Sequence, residues 1–360
     1  MDPSFGYSFP AIRGVQAQRD FYISMCPLRL IPRIFSFDGE ELPPEMRAQR
    51  NLNEDRIPEL KQYILDNPDD YVFSALTASI DAEVQFEAVG QGDGQRVGLL
   101  RVPMDARFII NDGQHRRAAI EAALRENPSL GYETIAVVFF MDRGLKRCQQ
   151  MFADLNRYAV RPSPSIGVLY DHRDSLATLT REVSFKSKLF RDLVETEKSS
   201  LATRSRKLFT LSSLYVANRD LVHGWEGMAF DEAVAKVKAF WEELATHIPE
   251  WTLVHERKVS AGEVRRDFLH SHSLFLQAMG HMGNALLENE DWRDVLPRIA
   301  TIDWMRSNPI WEGRALLDGR LRKSHRNVIL TGNVIKQAMN LELTDLERKT
   351  EAGFKLERAQ

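Results

Sequence analysis

Cysteine is scarce: Cys26 and Cys148 are the two in 360 residues, and no CxxC pair occurs. A small disulfide scaffold, a zinc ribbon and a four-thiolate iron–sulfur site are therefore excluded, and two free thiols in a reducing cytoplasm are expected. Long apolar runs are also lacking. The longest, residues 135–141, falls far short of the ~20 residues that span a bilayer, so no membrane helix is expected. Met1 to Pro10 have neither a cationic flank nor an apolar stretch, so no secretory signal is read there. Neither sign of charge dominates. The 48 Lys+Arg against 51 Asp+Glu leave a net charge of −3, which does not announce a nucleic-acid binder but can hide an asymmetric surface. There is no internal repeat and no coiled-coil heptad. What is present, 43% hydrophobic and 28% charged residues, is a globular composition with length for about two domains.

The texture changes near residue 170. Residues 1–170 carry β-branched and aromatic runs separated by turns, and residues 171–360 read as successive helices, so an α+β protein with a mixed sheet followed by a helical domain is expected. In the first part, Ile57, Leu60 and Ile64 space an amphipathic helix within residues 50–66, and residues 71–80 suit a strand. Residues 83–89 and 96–102 flank a glycine-rich connection that suits a hairpin. Residues 107–110, a helix to Leu124 and residues 134–140 suggest a βαβ unit with parallel strands. Another helix is expected over 145–158. Beyond 170, helices are expected near 175–195, 210–221, 230–248, 262–288, 292–299 and 332–341, with a charged tail after Glu342 that frays.

The segment Asn111-Asp112-Gly113-Gln114-His115-Arg116-Arg117 places a glycine turn and polar groups between a strand and a helix start. Unpaired N–H groups and the helix dipole favour an anion such as phosphate there. Asp112 is the expected N-cap, with His115 and Arg116 in the first turn. A helix that is merely well capped, with Arg117 paired to Glu121, is the competing reading. Asp112 and Asp154 are of the type that holds Mg²⁺ beside bound phosphates.

The string Asp112-Gly113-Gln114-His115-Arg116 is the name-giving motif of the DGQHR-domain proteins. With the flanking residues 47–63 and Phe152-Ala153-Asp154-Leu155-Asn156, the chain from about Tyr7 to its C-terminal region resembles the DndB family of the DNA phosphorothioation systems. The motif core is similar to the ParB/sulfiredoxin superfamily. In that superfamily ParB proteins have Gly-Glu-Arg-Arg and sulfiredoxins Gly-Cys-His-Arg where this chain has Gly113-Gln114-His115-Arg116. Gln114 replaces both the reactive cysteine and the ParB glutamate, so sulfiredoxin-type thiol chemistry is not expected. The resemblance implies a DNA-binding regulator of the modification gene cluster, a repressor of its transcription, with a site for ATP or CTP with Mg²⁺. Nucleotide-binding candidates are Arg47, Arg50, Gly113, Gln114, His115, Arg116, Asn156 and Ser163; catalytic candidates, should the site hydrolyse nucleotide, are Asp112, His115 and Arg116.

For DNA, the candidates are Arg204, Arg206 and Lys207, and then Arg320, Arg322, Lys323 and Arg326 within the basic stretch from Glu312 to Lys336, which also holds Arg314. Such clusters neutralise backbone phosphates, and solvated helix ends are their ordinary alternative. His270, His272 and His281 invite a metal site, but spacings of two and nine scatter them around a single helix, and no metal site is expected. The expected partners are double-stranded DNA at the promoter of the modification genes and other DNA sulfur modification proteins, with no membrane and with homo-oligomer formation open. A nucleoside triphosphatase, less readily a nuclease, and a protein-docking component are the competing functions.

Overall fold

Two strands that no glycine or asparagine turn announces form the middle of the first unit's sheet. Strands β1 (Gly6–Gln16) and β2 (Arg19–Pro27) reverse through Ala17 and Gln18, which take positive φ of 50° and 63°. That conformation is ordinarily left to Gly or Asn, so the usual hairpin signal is missing from the sequence. The computed structural model describes residues 6–35, 53–141, 145–157 and 161–359, and the chain divides into two units, Met1–Val160 and Arg161–Gln360. Arg47 and Arg50 lie outside the described residues, as does the side chain of Asn156.

The remaining strands are β3 (Leu76–Ile80), β4 (Gln85–Ala88), β5 (Val97–Pro103), β6 (Phe108–Asp112) and β7 (Thr134–Phe140), in the order β4-β5-β1-β2-β7-β3-β6. The glycine-rich hairpin forms as expected between β4 and β5. The expected βαβ unit does not. β3 inserts between β6 and β7, running parallel to β7 and antiparallel to β6, so the two strands joined by the motif helix are antiparallel. Periodicity reads each strand but not its neighbours, and β3 supplies the parallel pairing instead. Helices α1 (Ile31–Ile34), α2 (Ile57–Asp66), α3 (Gln114–Glu126) and α4 (Leu145–Arg157) complete the unit. Phe9, Leu76, Leu100, Phe108, Phe139 and Ile120 are buried in one apolar cluster, each side chain contributing about 1.5–3 kcal/mol of transfer free energy.

The second unit is helical: α5 (Pro164–Tyr170), α6 (Ser175–Lys186), α7 (Phe190–Leu193), α8 (Leu211–Leu221), α9 (Phe230–Thr246), α10 (Pro249–His255), α11 (Ala261–Asp267), α12 (Ser273–Leu286), α13 (Trp292–Val295), α14 (His325–Ala338) and α15 (Asp345–Ala359). Four two-residue strands accompany them: β8 (Val194–Glu195) with β9 (Phe209–Thr210), and β10 (Leu316–Leu317) with β11 (Arg320–Leu321). The apolar helix α12 packs on α8 and α14. A Cβ on Gly280 would meet the Ala217 carbonyl oxygen at 2.2 Å, so only glycine allows that approach of α12 to α8. The single helix expected over 262–288 is two, because the chain leaves α11 at Phe268, which bridges to Met305, and turns over Leu269–His272 before α12. The charged tail is also not frayed. Glu347 and Glu351 pair with Lys336 and Arg314 and hold α15 in place.

Candidate functional site

The motif turn opens from the end of β6 into α3. Gly113 is the N-cap at φ 102°, and a Cβ there would meet Leu76 Cδ2 at 2.4 Å, so conformation and space both require glycine. Asp112 does not cap the helix: the N-cap is Gly113, which has no side chain to bond the first turn of α3. Its carboxylate instead accepts from Arg116 Nη2 at 2.5 Å. The other terminal nitrogen of Arg116 donates to the Ser74 carbonyl at 2.7 Å, the Ala75 carbonyl at 3.0 Å and the Ser74 hydroxyl. The motif arginine thus clamps the chain entering β3 to the turn that leaves β6.

A cleft of about 550 Å³ lies over this turn. Asp112, Gly113, His115 and Arg116 line it together with Arg56, Glu59, Leu60 and Tyr63 from α2 and its approach, and with Val72, Phe73 and Ser74. His115 Nε2 accepts the Asn53 N–H at 3.1 Å. Gln114 is buried away from the cleft lining, and its Nε2 has no hydrogen-bond partner among the described residues. Arg117 behaves as the competing reading has it, pairing with Glu121 at 2.6 Å, and it also donates to the Phe35 and Pro32 carbonyls of the α1 region. Arg56, Tyr63, Phe73 and Ser74 were not among the site candidates: Arg56 and Tyr63 fall in the 47–63 stretch that carries the family resemblance, and Phe73 and Ser74 have proximity to a turn far along the chain as their signal. Asp154 accepts from Gln150. Ser163 belongs to the second unit, where it caps α5 by accepting the Ile166 N–H at 3.2 Å.

The C-terminal basic stretch separates into buried and exposed charges. Arg314 and Lys336 are buried and form ion pairs with Glu351 and Glu347. Arg320, Arg322, Lys323 and Arg326 are exposed, with Arg326 paired to Glu357. Arg322, Lys323 and Arg326 line a cleft of about 820 Å³ that also holds Ser324, the N-cap of α14, and Arg358 of α15. Burial around the Lys323 ammonium lowers its pKa below the ordinary lysine value, Asp220 opposing and Arg219 adding to the shift. Arg204 and Arg206 are exposed in the 202–207 loop, and Lys207 is tied by its ammonium to the Asp192 carbonyl.

The three histidines have separate partners. His270 Nδ1 accepts from the Trp251 indole at 3.0 Å, and burial lowers its pKa. His272 donates to the Arg265 carbonyl, and burial brings it down to about 4. His281 bonds Asp220: burial alone would raise that carboxyl, but hydrogen bonds from His281, Gln277 and Arg219 hold it down to about 2.

The DndB family model, described as DNA-sulfur modification-associated, matches residues 9–342. The chain belongs to the DndB family. It is thereby associated with DNA sulfur modification systems. No curated protein matched the chain. The family match covers both the motif cleft and the exposed basic segments. Sulfur chemistry on a cysteine of this chain finds no support in its surroundings. Cys26 and Cys148 are both buried, and burial pushes the Cys26 thiol up to about 11, far from the thiolate that reacts. No described helix is long and apolar enough to cross a membrane.

Proposed function

We propose that this DndB-family chain is a DNA-binding regulator of a DNA sulfur modification gene cluster, repressing its transcription, and that its DGQHR cleft takes a nucleotide. The observation that carries the DNA reading is the exposed basic group Arg320, Arg322, Lys323 and Arg326 at the N-terminus of α14, three of whose members converge on one cleft. Cations there meet phosphate oxygens, and the N-terminal end of the α14 dipole adds partial positive charge. The nucleotide reading is supported by the glycine-started N-terminus of α3, with the favourable end of its dipole, beside a cleft large enough for a small ligand. In it, Gly113 lets backbone approach the phosphates, His115 is a polar group at the ligand, and Arg116 shapes the wall. ATP or CTP with Mg²⁺ are the ligands to try.

The test is fluorescence anisotropy with DNA from upstream of the modification genes and with a scrambled fragment, across a salt series, with and without each nucleotide. Tighter, salt-dependent binding to the upstream fragment that shifts with nucleotide is expected. Binding to neither fragment rejects the regulator and moves the chain to docking among other DNA sulfur modification proteins.

A further inference from the structure

The 202–207 loop and the β10–β11 hairpin are far apart in sequence, yet two arginines tie both to one short stretch of backbone. Arg265, in the last turn of α11, donates to the Ala202, Thr203 and Ser205 carbonyls at 2.8, 3.0 and 3.2 Å, and also to the Lys207 carbonyl. One guanidinium therefore sets the path of the whole loop that displays Arg204 and Arg206. On the other side, the Arg306 backbone N–H donates to the Asp267 carbonyl at 2.9 Å. Its side chain donates to the Arg266 carbonyl at 3.5 Å and to the Gly319 carbonyl at 3.1 Å, beside Arg320. Residues 265–267 thus anchor both the loop and the hairpin.

We infer that the loop and the hairpin form one continuous track for a single DNA duplex, an inference that rests on the DNA-binding function proposed above. Residues 265–267 end α11, where each residue rises ~1.5 Å, so with the two arginine side chains the clusters lie within roughly 20 Å of each other. That is the scale on which backbone phosphates flank a groove about 12 Å wide. The loop supplies Arg204 and Arg206 and the hairpin end Arg320 and Arg322, all exposed and none in an ion pair among the described residues. Arg266 adds little, because Asp267 takes its guanidinium in two hydrogen bonds of 2.8 Å. Arg265 and Arg306 are positioning residues: their guanidinium groups face carbonyls of the fold.

The salt dependence of binding counts phosphate contacts, at about 0.9 in log–log slope for each on duplex DNA. Arg204→Gln with Arg206→Gln should lower the slope by about two, Arg320→Gln with Arg322→Gln by about two, and all four by about four, with one protein per duplex in excess DNA. Arg306→Gln should weaken wild-type binding several-fold yet be nearly silent in the Arg204→Gln/Arg206→Gln background, a dependence that general destabilisation does not produce. If only the hairpin pair changes the slope, or if one protein takes two duplexes, the single track is wrong and DNA binding stands. If the unaltered chain binds no DNA, the regulator reading and the track fall together.

Discussion

The motif turn and the α14 hairpin both place arginines beside a helix N-terminus, and they use them in opposite ways. At the turn, Arg116 faces Asp112 and the carbonyls of Ser74 and Ala75, so its charge and its directional donors hold two strand ends together. At the hairpin, Arg320 and Arg322 are exposed with no ion pair among the described residues, while Arg314 a few positions earlier is buried against Glu351. An arginine in a conspicuous motif can be a clamp, and an arginine in an ordinary surface stretch can be the group left for a partner. The difference lies in whether carbonyls or carboxylates of the fold reach the guanidinium before solvent does.

The comparison is sharpest where the inward charges are removed. Glu351→Ala leaves the Arg314 guanidinium buried without its carboxylate, and a loss of about 3 kcal/mol is expected in chemical denaturation. The pair also makes an acid signature. Its hydrogen bonds with Arg314 lower the Glu351 pKa below the ordinary value of 4.5, so its stabilisation is fully present above that value and is lost as pH falls through the lowered folded value. Glu351→Gln should therefore flatten the acid limb of stability relative to the unaltered chain.

Arg116→Ala should cost about 2 kcal/mol, since two backbone carbonyls and Asp112 lose a charged donor, and Arg116→Lys should recover only part of it. A variant as stable as the unaltered chain would mean that the arginine is free, and would return it to the ligand. The smallest stability effect belongs to Arg320→Gln with Arg322→Gln, within about 0.5 kcal/mol in thermal unfolding. A large loss there would break the contrast by showing that these side chains also hold the fold.

Much of the architecture was legible because it rests on local pattern. The Ile57/Leu60/Ile64 spacing marked α2, and the glycine-rich stretch marked the β4–β5 hairpin, since glycine accepts the positive φ found at Gly92. The β1–β2 hairpin escaped because Ala17 and Gln18 adopt positive φ without any sequence signal for it. The first half of α14 lay outside the helix expected over 332–341, because the basic residues to Arg326 suit a loop or a helix end equally, although Ser324 caps the helix and Val328 to Val334 are buried. In the candidate site, Asp112, Gly113, His115 and Arg116 were found from the motif. Their surroundings were not, because Tyr63, Phe73 and Ser74 reach the turn only through folding.

By itself the sequence determined the α+β class, the glycine at the motif turn and the family that the motif announces, because each depends on residues close together in the chain. Only the tertiary structure decided that β6 and β7 are antiparallel, that Arg116 closes on β3 and that Arg314 is buried while Arg320 is exposed. Those outcomes depend on which distant carbonyls, carboxylates and strand edges arrive beside a given residue, and proximity of that kind is a property of the packed chain.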